Sequence, residues 1–81
     1  MKTELKYVVT EDGCFAIFHP GAVHKEIANT LYGRPVGAGF CNIRQQADSG
    51  RVNIHCYGES ISLNLESREE DEIIINNFLN H

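Results

Sequence analysis

The run Arg51–Leu65 constrains the fold of this chain more than any other stretch. Val52, Ile54 and Cys56 alternate with Asn53, His55 and Tyr57, and Ile61, Leu63 and Leu65 alternate with Ser60, Ser62 and Asn64. Successive side chains of a strand point to opposite faces, so this pattern predicts two strands, each with one buried and one wet face. Tyr57-Gly58-Glu59-Ser60 lies between them. Gly58 is the residue there that takes a positive φ without steric cost, so the backbone is expected to bend or bulge at it. Such a bend, followed by Ser60 and Ser62, is either a plain bulge or a place where several N–H groups turn to one point and hold an anion.

Elsewhere the signals are local. Leu5, Tyr7 and Val9 share one face of a strand over Glu4–Thr10, with Lys6 and Thr10 opposite. Glu11-Asp12-Gly13 is a turn, and Cys14–Phe18 resumes as a strand, so the two form a hairpin. After His19-Pro20 a helix is expected over Gly21–Leu31, because Val23, Ile27 and Leu31 recur every four residues. Gly33 is suited to the position after the helix, and Pro35 blocks continuation. Val36–Ile43 is the next strand candidate. Its Gly37-Ala38-Gly39 centre implies a close backbone or helix approach, or a bulge. Asp48-Ser49-Gly50 then turns the chain.

The last helix is expected to open at Ser67, three residues before Glu70, a capping-box spacing. Its packing stripe is Ile74, Ile75, Phe78 and Leu79, with Ile73 at or beyond the border and Asn80 and His81 frayed. Glu69–Glu72 reads as a solvated, dipole-matched helix start. The order β-β-α-β-β-β-α predicts an α+β fold, a mainly antiparallel sheet with two packed helices.

Composition narrows the function classes. Eighty-one residues suit one domain. The net charge is −4 and the seven Lys and Arg residues are scattered, so there is no basic stripe for nucleic acid. No apolar run is long enough to span a bilayer. The stretch Met1–Tyr7 lacks the apolar core of a signal peptide, and a cytoplasmic location is expected. Cys14, Cys41 and Cys56 are odd in number and widely spaced, as reduced thiols are. His19 with His24, and His55 with Cys56, match no ligand spacing, so neither a metal nor a cofactor is expected. Cys14 and Cys41 sit among apolar neighbours, where a thiol stays protonated and a poor nucleophile.

His24 is the best candidate for chemistry. It borders the apolar stripe in the first turn of the expected helix, whose positive end is expected to lower the histidine pKa and leave a neutral imidazole that could act as base or nucleophile beside an anion. The alternative is a partly buried histidine satisfied by a carbonyl. Arg34, Arg44 and Arg51 are available for bidentate anion binding, or are solvated surface.

The run Arg51–Ser60, ending in Tyr57-Gly58-Glu59-Ser60, resembles the strand and Tyr-Gly-x-Ser loop of the Janus–Ocnus family of phosphohistidine phosphatases. His24-Lys25-Glu26-Ile27 is similar to that family's catalytic His-x-acidic-Ile context, and Asp12-Gly13-Cys14-Phe15 to its entry into the second strand. The resemblance implies a phosphohistidine phosphatase-like fold and a small, metal-independent hydrolase acting on phosphohistidine or another phosphoramidate. It implies His24 as the catalytic residue, and phosphate held at Gly58, Glu59, Ser60 and Ser62. The family's second-strand lysine falls near Ala16 here. Gly39-Phe40-Cys41-Asn42 replaces its Gly-Gly-Gly-Arg segment, leaving Arg44 as the arginine that could substitute. The partner implied is a phosphate-bearing ligand or phosphoprotein. The competing expectation is a non-catalytic binding or assembly module on the same fold, a homodimer through an exposed strand edge.

Overall fold

The computed structural model describes residues 4–45 and 47–80. Four strands make one antiparallel sheet in the order β2-β1-β3-β4: β1 Glu4–Thr10, β2 Phe15–Phe18, β3 Pro35–Gln45 and β4 Val52–Tyr57. Helix α1 spans His24–Ala28 and α2 spans Glu69–Leu79. A short two-stranded ribbon, β5 Glu59–Ser60 and β6 Leu65–Glu66, completes an α+β fold with two helices on an antiparallel sheet.

The period-two alternation sorts the sheet into two faces. On one face Tyr7, Val9, Cys41 and Ile54 are buried under Ile75 of α2. On the other, Val8 and Ala38 are buried with Ala28 of α1, and Leu63 and Leu65 pack against them from the ribbon. The second cover is partial. Asn53 and His55 of β4 and Arg44 of β3 stay exposed on that face.

Three expectations are corrected. Ile61–Leu65 is not one strand: residues 61–64 form the turn between β5 and β6, and only Leu65 is a strand residue, at the start of β6. Ser60 Oγ accepts the Leu63 N–H at 3.3 Å, and Asn64 takes φ 54°, a left-handed conformation asparagine tolerates. Ile61, apolar in the alternation, is 90% exposed. The first helix is a single turn, not eleven residues. Its end is tightened by N–H bonds from Thr30 to Ile27 O and from Leu31 to Ala28 O. The last helix is capped by Arg68, not Ser67. Asp71 Oδ2 accepts the Arg68 N–H at 3.1 Å, while the Asp71 N–H bonds to Arg68 O.

Asp71 also leaves the expected solvated run. It is fully buried, accepts the Tyr7 hydroxyl at 2.7 Å, and takes Nε and Nη2 of Arg68 at 2.9 and 2.6 Å. A buried carboxylate needs this degree of pairing. Burial and the Asp71 bond hold the Tyr7 phenol protonated far past its usual range. Room for the carboxylate comes from Gly37, where an added Cβ would overlap it.

The outer edge of β4 is closed by side chains of α2. Glu72 Oε1 accepts the Cys56 N–H at 2.7 Å. Asn76 accepts the Ile54 N–H at 2.7 Å and donates to Ile54 O at 3.1 Å. Asn80, expected to fray, accepts the Val52 N–H at 3.1 Å and donates to Val52 O at 2.8 Å; His81 lies outside the described residues. Four helical residues rise about 6.0 Å and two strand residues about 6.7 Å, so a row spaced by four can serve a strand edge residue for residue. The remaining apolar side chains of α2 divide unevenly: Ile75 is buried, whereas Phe78 and Leu79 of the expected stripe are exposed.

Replacing Asn76 removes two of these bonds, each worth about 1 kcal/mol net. Urea unfolding of Asn76→Ala should show a loss of about 2 kcal/mol, and Ile73→Ala, on the exposed side, a change within about 0.5 kcal/mol.

Candidate functional site

The site begins with Gly39 in the middle of β3. His24 is the first residue of α1 and only 4% exposed, and its Nε2 lies 2.8 Å from Gly39 O. A carbonyl can only accept, so Nε2 carries the proton and donates, which leaves the lone pair on Nδ1. No buried side-chain nitrogen lacks a partner among the described residues. Nδ1, for which no partner is seen, therefore reaches solvent.

The same glycine packs on the kink after β4. A Cβ at Gly39 would fall 2.6 Å from Tyr57 O and 3.2 Å from the Gly58 carbonyl carbon. Gly58 bends at φ 76°, as anticipated, and its carbonyl accepts the Ser67 N–H at 3.0 Å. Imidazole, bare strand and kinked ribbon thus meet at one point. A cavity of about 480 Å³ opens there, lined by Lys6, Val23, His24, Phe40, Gly58, Glu59, Ile61 and Ser62.

Its chemistry is mixed. Lys6 Nζ donates to Ala22 O at 2.9 Å and lies 6.0 Å from the centre of the Phe40 ring, leaving two ammonium protons for a ligand. Among the described residues the N–H groups of Ile61 and Ser62 have no hydrogen-bond partner. Phe18 and Phe40 hold the imidazole edge-on, at centroid distances of 5.4 and 6.1 Å. Glu59 brings a carboxylate of the opposite sign to the same rim.

His24 is held below the ordinary histidine pKa of 6.5, first by burial and then by the Lys6 charge, against the opposing effect of the Gly39 bond. The expected helix-end effect is not the cause, since one turn of helix aligns few peptide dipoles. At neutral pH the ring is uncharged and able to take a proton or bond an electrophile through Nδ1.

The residues singled out from the sequence separate into two groups. His24, Gly58, Glu59 and Ser62 line the cavity. Ser60 is 2% exposed and turns away, with its hydroxyl on Leu63 N–H and 3.4 Å from Ser62 Oγ. Arg44 lies five residues beyond Gly39 along β3, about 16 Å away, and lines a different surface hollow with Asn53, Ile54 and His55. The cysteines stay apart from the cavity: burial pushes the Cys41 thiol up to about 11 and Cys56 up to about 12, while Cys14 is exposed beside Asp12. No group of three or more His, Cys, Asp or Glu residues that could hold a metal occurs among the described residues. Lys6 was missed as a site residue. The signal was its place on the polar side of β1; what was needed was the register that sets it opposite Phe40.

No family model matches this chain, and no curated protein or solved structure is detectably similar to it.

The depressed His24 titration gives stability a defined pH dependence. Above 6.5 the ring is neutral folded or unfolded and contributes nothing. Below 6.5 the unfolded ring binds a proton first, so stability falls with acidification until the folded ring also titrates. His24→Gln keeps a donor for Gly39 O and cannot titrate. Denaturation at pH 7.5 and 5.5 should show a smaller acid loss in His24→Gln than in the natural chain.

Proposed function

We propose that this protein is a small metal-independent hydrolase of phosphoramidates, including phosphohistidine, with His24 as its catalytic residue. The observation that carries the proposal is the shared cavity: it is lined by His24 with its neutral imidazole, by Lys6, and by Ile61 and Ser62, whose N–H groups have no partner among the described residues. These are the elements a phosphoryl group requires, namely a cation, amide donors and a base or nucleophile. The phosphohistidine phosphatase-like fold belongs to the same proposal, supported by the Tyr57-Gly58-Glu59-Ser60 and His24-Lys25-Glu26-Ile27 motifs meeting in space.

The phosphoryl oxygens bind Lys6 Nζ and the N–H groups of Ile61 and Ser62, with phosphorus toward Nδ1 of His24. In one route Nδ1 takes a proton from water as the water oxygen bonds phosphorus and the P–N bond breaks, and Nδ1 then passes that proton to the departing nitrogen. In the other, Nδ1 bonds phosphorus as the substrate's P–N bond breaks and the departing nitrogen takes a proton from water; a second water then attacks phosphorus, releasing phosphate and restoring the neutral His24 ring. Phe18 and Phe40 keep the ring from turning, and the Gly39 carbonyl fixes the proton on Nε2 in the resting state. Val23 and Ile61 give the cavity an apolar wall for the substrate's remaining part.

A second function rests on one observation. Glu59 lines the same cavity and repels a dianion. A module that holds a phosphate-bearing ligand without turning it over would tolerate that weaker binding.

Hydrolysis of phosphoramidate and of a phosphohistidine peptide distinguishes the two. His24→Ala should lower kcat at least about 10²-fold, the usual worth of a general base. Lys6→Met should chiefly raise KM. Hydrolysis unchanged in His24→Ala overturns His24 as the catalytic residue; hydrolysis absent from the natural protein while phosphate still binds supports the module and sinks the enzyme. A phosphorylated His24 trapped by rapid acid-free quench selects the covalent route.

A further inference from the structure

The two edges of the sheet are treated differently. The β4 edge is closed by Glu72, Asn76 and Asn80. The β2 edge has no such cover among the described residues: the sheet ends there, and nothing bonds to its outer side. Proteins usually blunt an open edge with lysine, proline, a bulge or an inward charge. Phe15-Ala16-Ile17-Phe18 has none of these, and only its shortness, four residues, limits pairing.

The register of this edge suits a second copy of itself. The Thr10 N–H donates to Cys14 O at 2.8 Å, and Val8 pairs with Ala16 and Lys6 with Phe18. In an antiparallel ladder bonded positions alternate, so Cys14, Ala16 and Phe18 bond inward to β1, while the N–H and C=O groups of Phe15 and Ile17 point outward. An antiparallel twin related by a two-fold axis through Ala16 sets Phe15 opposite the twin's Ile17. Each of those pairs exchanges two bonds, and both faces of the sheet continue without reversal. The edge carries no charge, so self-pairing meets no like-charge repulsion at the join.

A neighbouring apolar side chain fits the same arrangement. Phe78 of α2 is 69% exposed, yet packs edge-on against Phe15 with ring centroids 5.3 Å apart. It stands beside the open edge, where a twin's Ile17 and α2 would cover it.

We propose that two copies of this chain pair antiparallel through β2, forming a continuous eight-stranded sheet around a two-fold axis at Ala16. The pairing runs through the Phe15 and Ile17 backbone and meets the cavity only through Phe18, whose ring packs on His24.

The test uses the whole chain at millimolar concentration. Sedimentation equilibrium should give twice the monomer mass, and Phe78→Glu should shift it toward monomer without loss of fold by circular dichroism. In a Cys14→Ser background, Ala16→Cys should form an intermolecular disulfide under mild oxidation. Ala16 and its twin would be a non-bonded pair about 4.5 Å apart at Cα, within the span of a disulfide. Amide exchange of the natural chain needs no substitution: the Phe15 and Ile17 N–H groups should be protected at high concentration and exposed on dilution. A monomer at millimolar concentration overturns the proposal. So does a dimer in which those two amides exchange freely, or protection of them in a chain that sediments as monomer.

Discussion

A central strand without side chains at two positions makes the rest of this structure possible. β3 lies between β1 and β4, where a strand ordinarily presents side chains on both faces. At Gly37 the missing side chain leaves room for the buried Asp71 carboxylate, and through it for the ties of α2 to Tyr7 and Arg68. At Gly39 it lets the Tyr57–Gly58 peptide press onto the sheet, while its carbonyl holds the His24 imidazole. Glycine interrupts packing and costs chain entropy in a strand. Here the loss is offset by close approaches that no larger residue permits.

Those approaches link fold to site. Asp71 and the Glu72, Asn76 and Asn80 row fix α2 against β3 and β4, so β4 is held on both sides as it reaches the kink. The kink at Gly58 is then placed by Gly39 on one side and by the Ser67 N–H on the other. α1 is too short to hold its own shape, since one turn forms few helical bonds. Its first residue is positioned instead by what it touches: Gly39 O, Phe18 and Phe40. The imidazole is thus fixed from the sheet side, which is what a preorganised site requires.

Much of this was legible from residue order. The alternation over Val52–Tyr57, the hairpin around Gly13, the bend at Gly58 and the close approach at Gly37-Ala38-Gly39 all follow from local chemistry, and the structure has them. His24 was visible as a histidine beside an apolar stripe, although its low pKa comes from burial rather than from a helix end. Ile61-Ser62-Leu63-Asn64-Leu65 misleads because a turn can bury every second residue as well as a strand does. Leu63 and Leu65 reach the core from it while Ile61 does not. Asp71, Asn76 and Asn80 were hidden for another reason. Polar residues on a helix read as solvent-facing until the strand edge or phenol they serve is in view. Lys6 depended on long-range register, which pairs it with Phe40 across β1 and β3. No local pattern reports that.

The central claim is that this cavity is an anion site built by the His24–Gly39–Gly58 contact. Titration of the natural chain with inorganic phosphate, followed by amide and side-chain NMR shifts, tests it most directly. The account predicts saturable shifts at Ile61 and Ser62 N–H, Lys6 Nζ and the His24 ring, with little change around Arg44. Shifts confined to the Arg44 hollow, or none that saturate, would contradict it.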